Sequence, residues 1–331
     1  MTILLNNPAF APATLTGLAN GIVENANQVG LAQFFPSVTS PSTFFAWENN
    51  APLSDEAFYR ATSAETRIGD SAGRERVSAE LHQLGLKKVW SEGDRLRAIN
   101  NGDAEAAELQ RLAAEVTKAV TNKLEKLRAQ ALVTGGLDIQ DTTEGPMGAT
   151  GFRAKIDFGR NPDFTTTAAT LFSAEGADPV AYLLGLVDQY RAENGVDPTD
   201  MVVSGRVLAA LGRSAAVAEY SGARGSVVPQ SVVRDTIELY GLPPVTVVDA
   251  HLFGSRLIPD DRVIFVNRDS AGATVWGPST AALNPLYGVS SEGIFVGAYQ
   301  EQDADSLYVR SDATALPILT RANLTLAAKV L

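Results

Sequence analysis

An uninterrupted helical pattern between Gly102 and Gly135-Gly136 constrains the fold more than any other part of the chain. Asp103 is a suitable N-cap, and a glycine pair is a typical helix end. Apolar residues recur at spacings of three and four, which predicts one buried helix face. A helix over 103–134 is roughly 45 Å long, well beyond the usual three turns. The predicted core face consists of Leu109, Leu112, Val116, Val120, Leu124 and Leu127.

Two interpretations of this long helix stay open at the level of the pattern. It is typical of a coiled-coil arm or bundle helix, and equally of a spine along which an elongated subunit is laid out. A coiled coil needs sustained heptads and a partner helix of similar length. No second segment of the chain has a comparable pattern. The sequence therefore favours the second interpretation, and we call 103–134 the spine helix.

Composition excludes several classes of function. The 331 residues carry a formal net charge of −11 and contain no cysteine, so disulfides, cysteine-ligated zinc and thiol catalysis are excluded. An acidic chain is a poor non-specific ligand for nucleic acid, because phosphate attraction needs clustered cations. No apolar run reaches the ~18 residues that span a bilayer, and MTILLNNPAF does not read as a signal peptide. We expect a reducing compartment and no membrane partner.

The region before the spine helix predicts an arm followed by an excursion. Residues 1–40 are rich in Asn, Ala, Pro and Thr, which predicts an extended arm. Residues 42–48 are aromatic and strand-prone, 49–73 form a charged loop, and 76–90 resume an apolar pattern. Loops this long are uncommon unless they bind or reach something. The order predicts a hairpin-like excursion.

The region after the spine helix predicts a β platform and then an α/β domain. Residues 137–158 alternate, which predicts strands on the same platform. From residue 171 to about 300, helical patterns alternate with short apolar strands, as in DPVAYLLGLVDQYRAENG at 178–195 and VIFV at 263–266. The segment 315–330 returns to a β pattern. We predict an α+β protein.

A search for catalytic or cofactor-binding patterns gives little. Ser71 stands in a G-x-S-x-G match, but the strand and helix that a nucleophile elbow requires are missing around it. His251 follows a predicted strand with Asp249 nearby, and His82 lies on the returning segment; ordinary loop histidines are the more common case. Two histidines without cysteine make no recognisable zinc site. We predict no enzyme, no cofactor and no metal site, and a scaffold or assembly protein instead.

The order of these segments resembles the HK97-fold major capsid proteins of tailed bacteriophages, particularly the branch similar to the lambda head protein. The resemblance covers most of the chain. It is carried by the segment ADPVAYLLGLVDQYRAENGVDPTDMVVSGRVLAALGRSAAV and by IPDDRVIFV, VWGPST and ATALPILTRANLTLAAKVL. None of these segments is a catalytic signature.

The resemblance implies an HK97-like fold and a division of the chain. It assigns 1–48 to an N-terminal arm, 49–90 to an extended loop that overlaps a neighbouring subunit, 91–170 to a peripheral domain with the spine helix, 171–300 to an axial α/β domain, and 301–331 to a return to the peripheral domain. Arginines in or beside the extended loop are then candidates for contact with acids on the next subunit. They are Arg60, Arg67, Arg74 and Arg76.

The resemblance also implies a function. Members of the HK97-fold capsid family form hexamers and pentamers of an icosahedral shell around double-stranded DNA, and they do not recognise the DNA sequence. We therefore expect a virion capsid protein assembled in the host cytoplasm, with a separate scaffolding protein and a portal; a decoration protein is a further candidate partner. Residues 51–86 contain no lysine, so the isopeptide mesh of some relatives is not expected. The alternatives are an encapsulin-like cellular compartment and, with less support, a serine hydrolase using Ser71.

Overall fold

The fold is that of a computed structural model, which describes residues 2–3, 11–27, 30–50, 74–98, 104–145, 148–222, 227–252, 254–283, 293–300 and 306–331. Helices and sheets both contribute to the core, which confirms the predicted α+β class. The α-helices within these residues are α1 (Pro12–Asn27), α2 (Glu92–Ala98), α3 (Ala104–Thr134), α4 (Pro179–Asn194), α5 (Gly205–Arg213), α6 (Ala215–Tyr220) and α7 (Gln230–Leu239).

Within the described residues the strands form two larger sheets and three two-stranded ribbons. In chain order they are β1 (Thr2–Ile3), β2 (Ser37–Thr39), β3 (Phe44–Asn50), β4 (Arg74–Glu80), β5 (Gln83–Trp90), β6 (Gly136–Gly145), β7 (Gly148–Asp157), β8 (Thr165–Thr167), β9 (Asp200–Val203), β10 (Val245–Val247), β11 (His251–Leu252), β12 (Ser255–Arg256), β13 (Arg262–Val266), β14 (Gly272–Gly277), β15 (Ile294–Gln300), β16 (Leu307–Leu319) and β17 (Thr325–Lys329).

The long strand β16 organises the six-stranded sheet. This sheet has the order β1-β15-β16-β14-β2, with β5 beside the first half of β16. The five-stranded sheet has the order β10-β9-β13-β17-β8. The ribbons are β3–β4, β6–β7 and β11–β12, all antiparallel.

Helix α3 is the predicted spine helix, and it lies against β16, β5 and β15 of the six-stranded sheet. It ends where Gly135 takes a left-handed conformation, with φ of 72°. Its apolar face passes through two separate hydrophobic cores. One core contains Leu109, Leu112, Val116, Val120 and Leu124 together with the inner side chains of β15 and β16. The other contains Leu127, Ala131 and Leu132 together with the five-stranded sheet and α4.

The N-terminal segment differs from the predicted extended arm, because residues 12–27 form helix α1. Its Leu15 and Ala19 are buried in the core beneath the six-stranded sheet, where α1 contacts α3 and β15. Further along, Leu31, Phe34 and Phe35 are fully buried in the other core. The prediction of an extended conformation over 1–40 is therefore wrong for residues 12–27, since packing against α3 outweighs their weak helix propensity.

Sheet membership also departs from the predicted boundary at residue 300. Strands β14 and β15 pair with β16 in the six-stranded sheet, whereas β17 pairs with β13 and β8 in the five-stranded sheet. The strands within 137–158 form their own ribbon, β6–β7, instead of joining the platform sheet. These pairings join segments far apart in the chain, and a residue pattern alone does not specify such partners.

The excursion before the spine helix begins as an antiparallel ribbon. Residues 44–50 pair with 74–80, with Phe45 opposite Ala79 and Trp47 opposite Val77 on the face toward the core. The ring of Trp47 lies 6.1 Å from that of Phe158. Residues 51–73 lie outside the described part of the chain.

Candidate functional site

The first distinctive site is a buried ion pair between the two hydrophobic cores. Arg128 Nη1 donates to Glu125 Oε1 at 2.7 Å, and both side chains are largely shielded from solvent. The remaining carboxylate oxygen of Glu125 accepts the backbone N–H of Leu31 at 3.1 Å. Arg128 Nη2 donates to Thr274 Oγ1 at 2.9 Å, and this hydroxyl lies 3.3 Å from the carbonyl of Phe35. One charge pair thus connects α3, the N-terminal segment and β14.

Burial has opposing effects on this arginine. Desolvation lowers the pKa of Arg128, while the charge of Glu125 and its hydrogen bond raise it. A guanidinium stays charged even after such a shift. A buried pair with satisfied hydrogen bonds fixes the relative position of the segments it joins but adds little net stability. Removing one partner leaves the other charge buried and uncompensated. The arrangement therefore fixes the position of the N-terminal segment on the spine helix.

The second site is Arg160, a buried arginine at the C-terminal end of α3. Its Nη1 and Nη2 donate to the carbonyls of Leu132 and Val133, both at 2.8 Å. Nη2 also donates to Thr165 Oγ1 of β8 at 2.7 Å, and Nη1 lies 3.4 Å from Thr325 Oγ1 of β17. A cation at a helix C-terminus is favoured by the helix dipole. Arg160 therefore ties the spine helix to two strands of the five-stranded sheet.

The environment of Arg160 is tightly packed. Burial, followed by the nearby charge of Arg262, lowers the pKa of Arg160 to about 10. A Cβ atom on Gly135 would lie 2.7 Å from Arg160 Nε, so glycine is needed there for space as well as for its positive φ. Sequence reasoning missed both buried arginines. The spacing of Glu125 and Arg128 by three residues was the available signal for the first.

The predicted subunit-contact arginines are only partly visible. Arg60 and Arg67 lie outside the described residues, and of Arg74 only the backbone, in β4, is described. Arg76 is exposed and lies opposite Glu48 in the register of the β3–β4 ribbon. Phe44 on the same outer face is 58% exposed. The described part of the ribbon thus presents a mixed charged and apolar face to solvent.

The geometry gives no support to a hydrolytic site. Ser71 lies outside the described residues. His251 Nδ1 lies 2.8 Å from the backbone carbonyl of Asp249, whereas the Asp249 carboxylate binds the backbone N–H of Gly205 and the guanidinium of Arg256. Asp249 therefore does not orient His251 through its carboxylate, as a catalytic dyad would require.

The second histidine packs against an aromatic ring. His82 is partly buried, and its ring lies 4.5 Å from that of Phe152 on β7 in an edge-to-face arrangement. Among the described residues no group of three or more His, Asp or Glu side chains could hold a metal ion. Within the same residues no helix combines the length and apolarity needed to cross a membrane.

Helix α7 carries several exposed apolar side chains. Val232 and Leu239 lie seven residues apart on one flank of α7, and Leu239 is 82% exposed. Tyr240 follows directly, is partly exposed and packs its ring against Tyr220 at 4.8 Å. Single exposed apolar residues are common on protein surfaces, so it is the grouping of Val232, Leu239 and Tyr240 that makes this flank a candidate contact surface.

Comparison with solved structures identifies the fold. A putative capsid protein of an Escherichia coli prophage has a TM-score of 0.58 and 14% identity over 95% of this chain and 99% of that one. A phage-related protein of Bordetella bronchiseptica has a TM-score of 0.57 and 13% identity over 96% of both chains. A virus-like particle from Pyrococcus furiosus has a TM-score of 0.53 and 9% identity over 95% and 98%. The chain has the HK97-like capsid fold, as predicted.

The particular family follows from the sequence itself. The model of the family described as phage major capsid protein E matches residues 12–330, so the chain belongs to that family. It is a structural protein of the virion capsid that self-assembles into an icosahedral shell, and it is not an enzyme. A compartment shell or a serine hydrolase is not favoured. No curated protein matches the sequence.

Proposed function

We propose that this protein is the major head protein of a tailed phage, assembling as hexamers and pentamers around double-stranded DNA. The observation that supports assembly by repeated contacts is the exposed apolar flank of α7, which ends at Leu239. Identical subunits that meet through two different patches form rings when the rotation closes. In this proposal α7 and the five-stranded sheet surround the capsomer axis, and α3 and the six-stranded sheet lie toward the periphery.

The outer face of the β3–β4 ribbon is the second proposed contact. Phe44, Glu48 and Arg76 would lie on a neighbouring subunit, as expected for an extended loop, with Arg60, Arg67 and Arg74 as further candidates. Single exposed ion pairs contribute only about 0–1 kcal/mol. Their effect on a shell comes from repetition at every interface. A separate scaffolding protein and a portal complete the proposal, with a decoration protein as a further candidate partner and assembly in the host cytoplasm.

Electron microscopy of the purified full-length chain tests the proposal. We expect closed shells or rings of five and six subunits, and a chain that stays monomeric at tens of micromolar with scaffolding protein present would overturn it. Leu239→Ser should reduce assembly while leaving the circular dichroism spectrum unchanged, because it removes exposed apolar area alone. Val196→Ser, at a half-exposed apolar residue after α4, is the matched control. Particles from phage-producing cells should contain DNA; protein cargo in its place would favour a cellular compartment.

A further inference from the structure

The charges on the exposed face of α3 are divided between its two halves. In the first half they are paired within the protein. Arg111 Nε donates to Glu108 at 2.8 Å, and Glu115 is bonded to both Arg111 and Lys88. These contacts lower the pKa of the Glu108 and Glu115 carboxyls, chiefly through the hydrogen bonds from Arg111 and Lys88 respectively. The first half of the helix therefore presents a nearly neutral surface.

The second half of α3 is positively charged. Between Val116 and Thr134 the single acidic residue is Glu125, which is buried and paired with Arg128. Lys118 and Lys126 are exposed, and neither forms an ion pair with any residue of the described chain. Lys123 lies between them and is partly exposed. Eight residues of helix separate Lys118 from Lys126, which is about 12 Å.

The cation type at this surface is unusual for this chain. The sequence has twenty arginines and only seven lysines, three of which fall within residues 118–126. Arginine suits fixed, two-pronged contacts between protein groups, whereas lysine is a flexible point charge. A duplex carries one negative charge per about 1.7 Å of its axis, so cations spaced along a rod meet phosphates in any register. Lysines spaced along the spine helix suit such a partner.

The ribbon beside the helix extends the same surface. Gln130 Nε2 donates to the carbonyl of Asp138 at 3.2 Å, which places β6 next to α3 one turn beyond Lys126. On the outer face of that ribbon Lys155 lies opposite Asp138, and Arg153 lies opposite Gln140. Both cations are exposed. Asp157, opposite Gly136, is exposed on the same face, so the described part of this face carries two positive and two negative charges and the lysines of α3 supply the net positive charge of the track.

We propose that the second half of the spine helix, through Lys118 and Lys126, contacts the phosphate backbone of double-stranded DNA without reading its sequence. This inference rests on the proposed function, since it names the surface that meets the enclosed genome. With a net charge of −11 the rest of the subunit repels DNA. The contact would then be a narrow track on an otherwise repulsive wall. DNA held this way stays mobile along its axis, because phosphate contacts fix no sequence register.

The test is the salt dependence of binding to a fluorescein-labelled 30-base-pair duplex of mixed sequence, measured by anisotropy between 25 and 200 mM NaCl. Each lost phosphate contact reduces the slope of log affinity against log salt by about 0.9. The double variant Lys118→Gln, Lys126→Gln should lose about 1.8 from the slope. When the NaCl concentration rises from 50 to 200 mM, the affinity of both proteins for the duplex falls. The factor by which it falls should be about twelvefold smaller for the double variant than for the wild type.

The matched control is Arg213→Gln with Arg321→Gln, which removes the same charge from exposed residues elsewhere. Its slope should equal that of the wild type. Three outcomes would overturn the proposal. They are an equal change of slope in both variants, an unchanged slope in the lysine variant, and no duplex binding by the wild type at 25 mM NaCl. If the lysine variant keeps its slope but loses shells, the track binds an acidic surface of a second copy instead. Microscopy of the same samples tests shell formation separately.

Discussion

Glu125 and Arg128 form a 2.7 Å ion pair in the protein interior, where the spine helix passes from one hydrophobic core to the other. Arg128→Met leaves the Glu125 carboxylate buried with only the Leu31 N–H as partner. We expect a loss of about 3–5 kcal/mol in the free energy of unfolding, measured by urea denaturation of the unassembled subunit. The double variant Glu125→Leu, Arg128→Met should lose less than Arg128→Met alone.

The exposed pair of Arg111 and Glu108 on the same helix supplies the comparison. Arg111→Met should shift the melting temperature far less than Arg128→Met. A loss of equal size for both variants would show that burial of the Glu125 pair does not matter.

Replacing Arg160 by lysine should make the stability of the protein depend on pH in a distinctive way. With its pKa at about 10, Arg160 stays charged between pH 6 and 9, so its own effect on stability is constant there. A lysine in the same buried site would have a folded-state pKa below its unfolded value near 10.4. The unfolded state then binds more protons, and stability of Arg160→Lys should rise with pH from about 7 to 9, where the wild type stays constant. Thermal melts across that range, with the wild type alongside, measure the difference; parallel curves would contradict it.

Replacing Gly272 and Gly185 by alanine should change the free energy of unfolding in opposite directions. A Cβ on Gly272 would lie 2.6 Å from Phe35 Cε1, whereas one on Gly185, within α4, meets nothing within 4 Å. We expect Gly272→Ala to lose about 1–3 kcal/mol through overpacking. Gly185→Ala should gain about 0.5–1 kcal/mol because it is an exposed helical site. Denaturant titrations of the two variants should therefore move to either side of the wild type.

Val116 tests the role of the spine helix as a core element. It is fully buried between α3 and the six-stranded sheet. An unpaired carboxylate there cannot be hydrated, so Val116→Asp should give no soluble, folded subunit. Gln110→Asp, one and a half turns away on the exposed side, should express normally. Normal shells from Val116→Asp would show that the packing of this face is dispensable; the same reasoning and outcome apply to a polar residue at Val120.

The absence of lysine from residues 51–86 predicts shells without covalent links between subunits. An isopeptide bond requires a lysine amine, and residues 51–86 supply none. The two lysines at the end of the extended loop, Lys87 and Lys88, lie in β5, where Lys88 pairs with Glu115 and Lys87 lies over the ring of Tyr308. Mature particles boiled in denaturant should therefore run as a single band at the subunit mass on a gel. Ladders of multimers would overturn the prediction, and mass spectrometry of the ladder would locate the link.

Local signals made part of the fold predictable. The spine helix was predicted over 103–134 and is observed at Ala104–Thr134. Its apolar periodicity indicates the helix, Asp103 indicates where it begins, and the glycine pair indicates where it ends. Likewise α4 begins at the Asp178 cap and ends at Gly195 in a left-handed conformation. The α+β class and the capsid family followed from the order of such segments, and both are confirmed.

What could not be predicted depends on distant partners. Helix α1 contains Gly17, Gly21 and several Thr and Asn residues, so its propensity is low, and only packing of Leu15 and Ala19 explains it. Strand β2 pairs in parallel with β14, more than 230 residues away. The spacing of Glu125 and Arg128 indicates a pair on one helix face, but it does not show that the pair is buried, because burial depends on the distant segments that contain Leu31 and Thr274. The lambda-like branch and the subunit contacts stay predictions.

The positions of β16 and β17 have a consequence for synthesis of the protein. Each strand lies inside a sheet, and each follows in the chain all the strands it pairs with. A polypeptide interrupted before residue 307 would leave unpaired edges on β5, β14 and β15 in one sheet and on β13 and β8 in the other. Open edges of this kind pair with other chains. A chain that stops early therefore cannot close either sheet, and we expect it to aggregate instead of entering a particle.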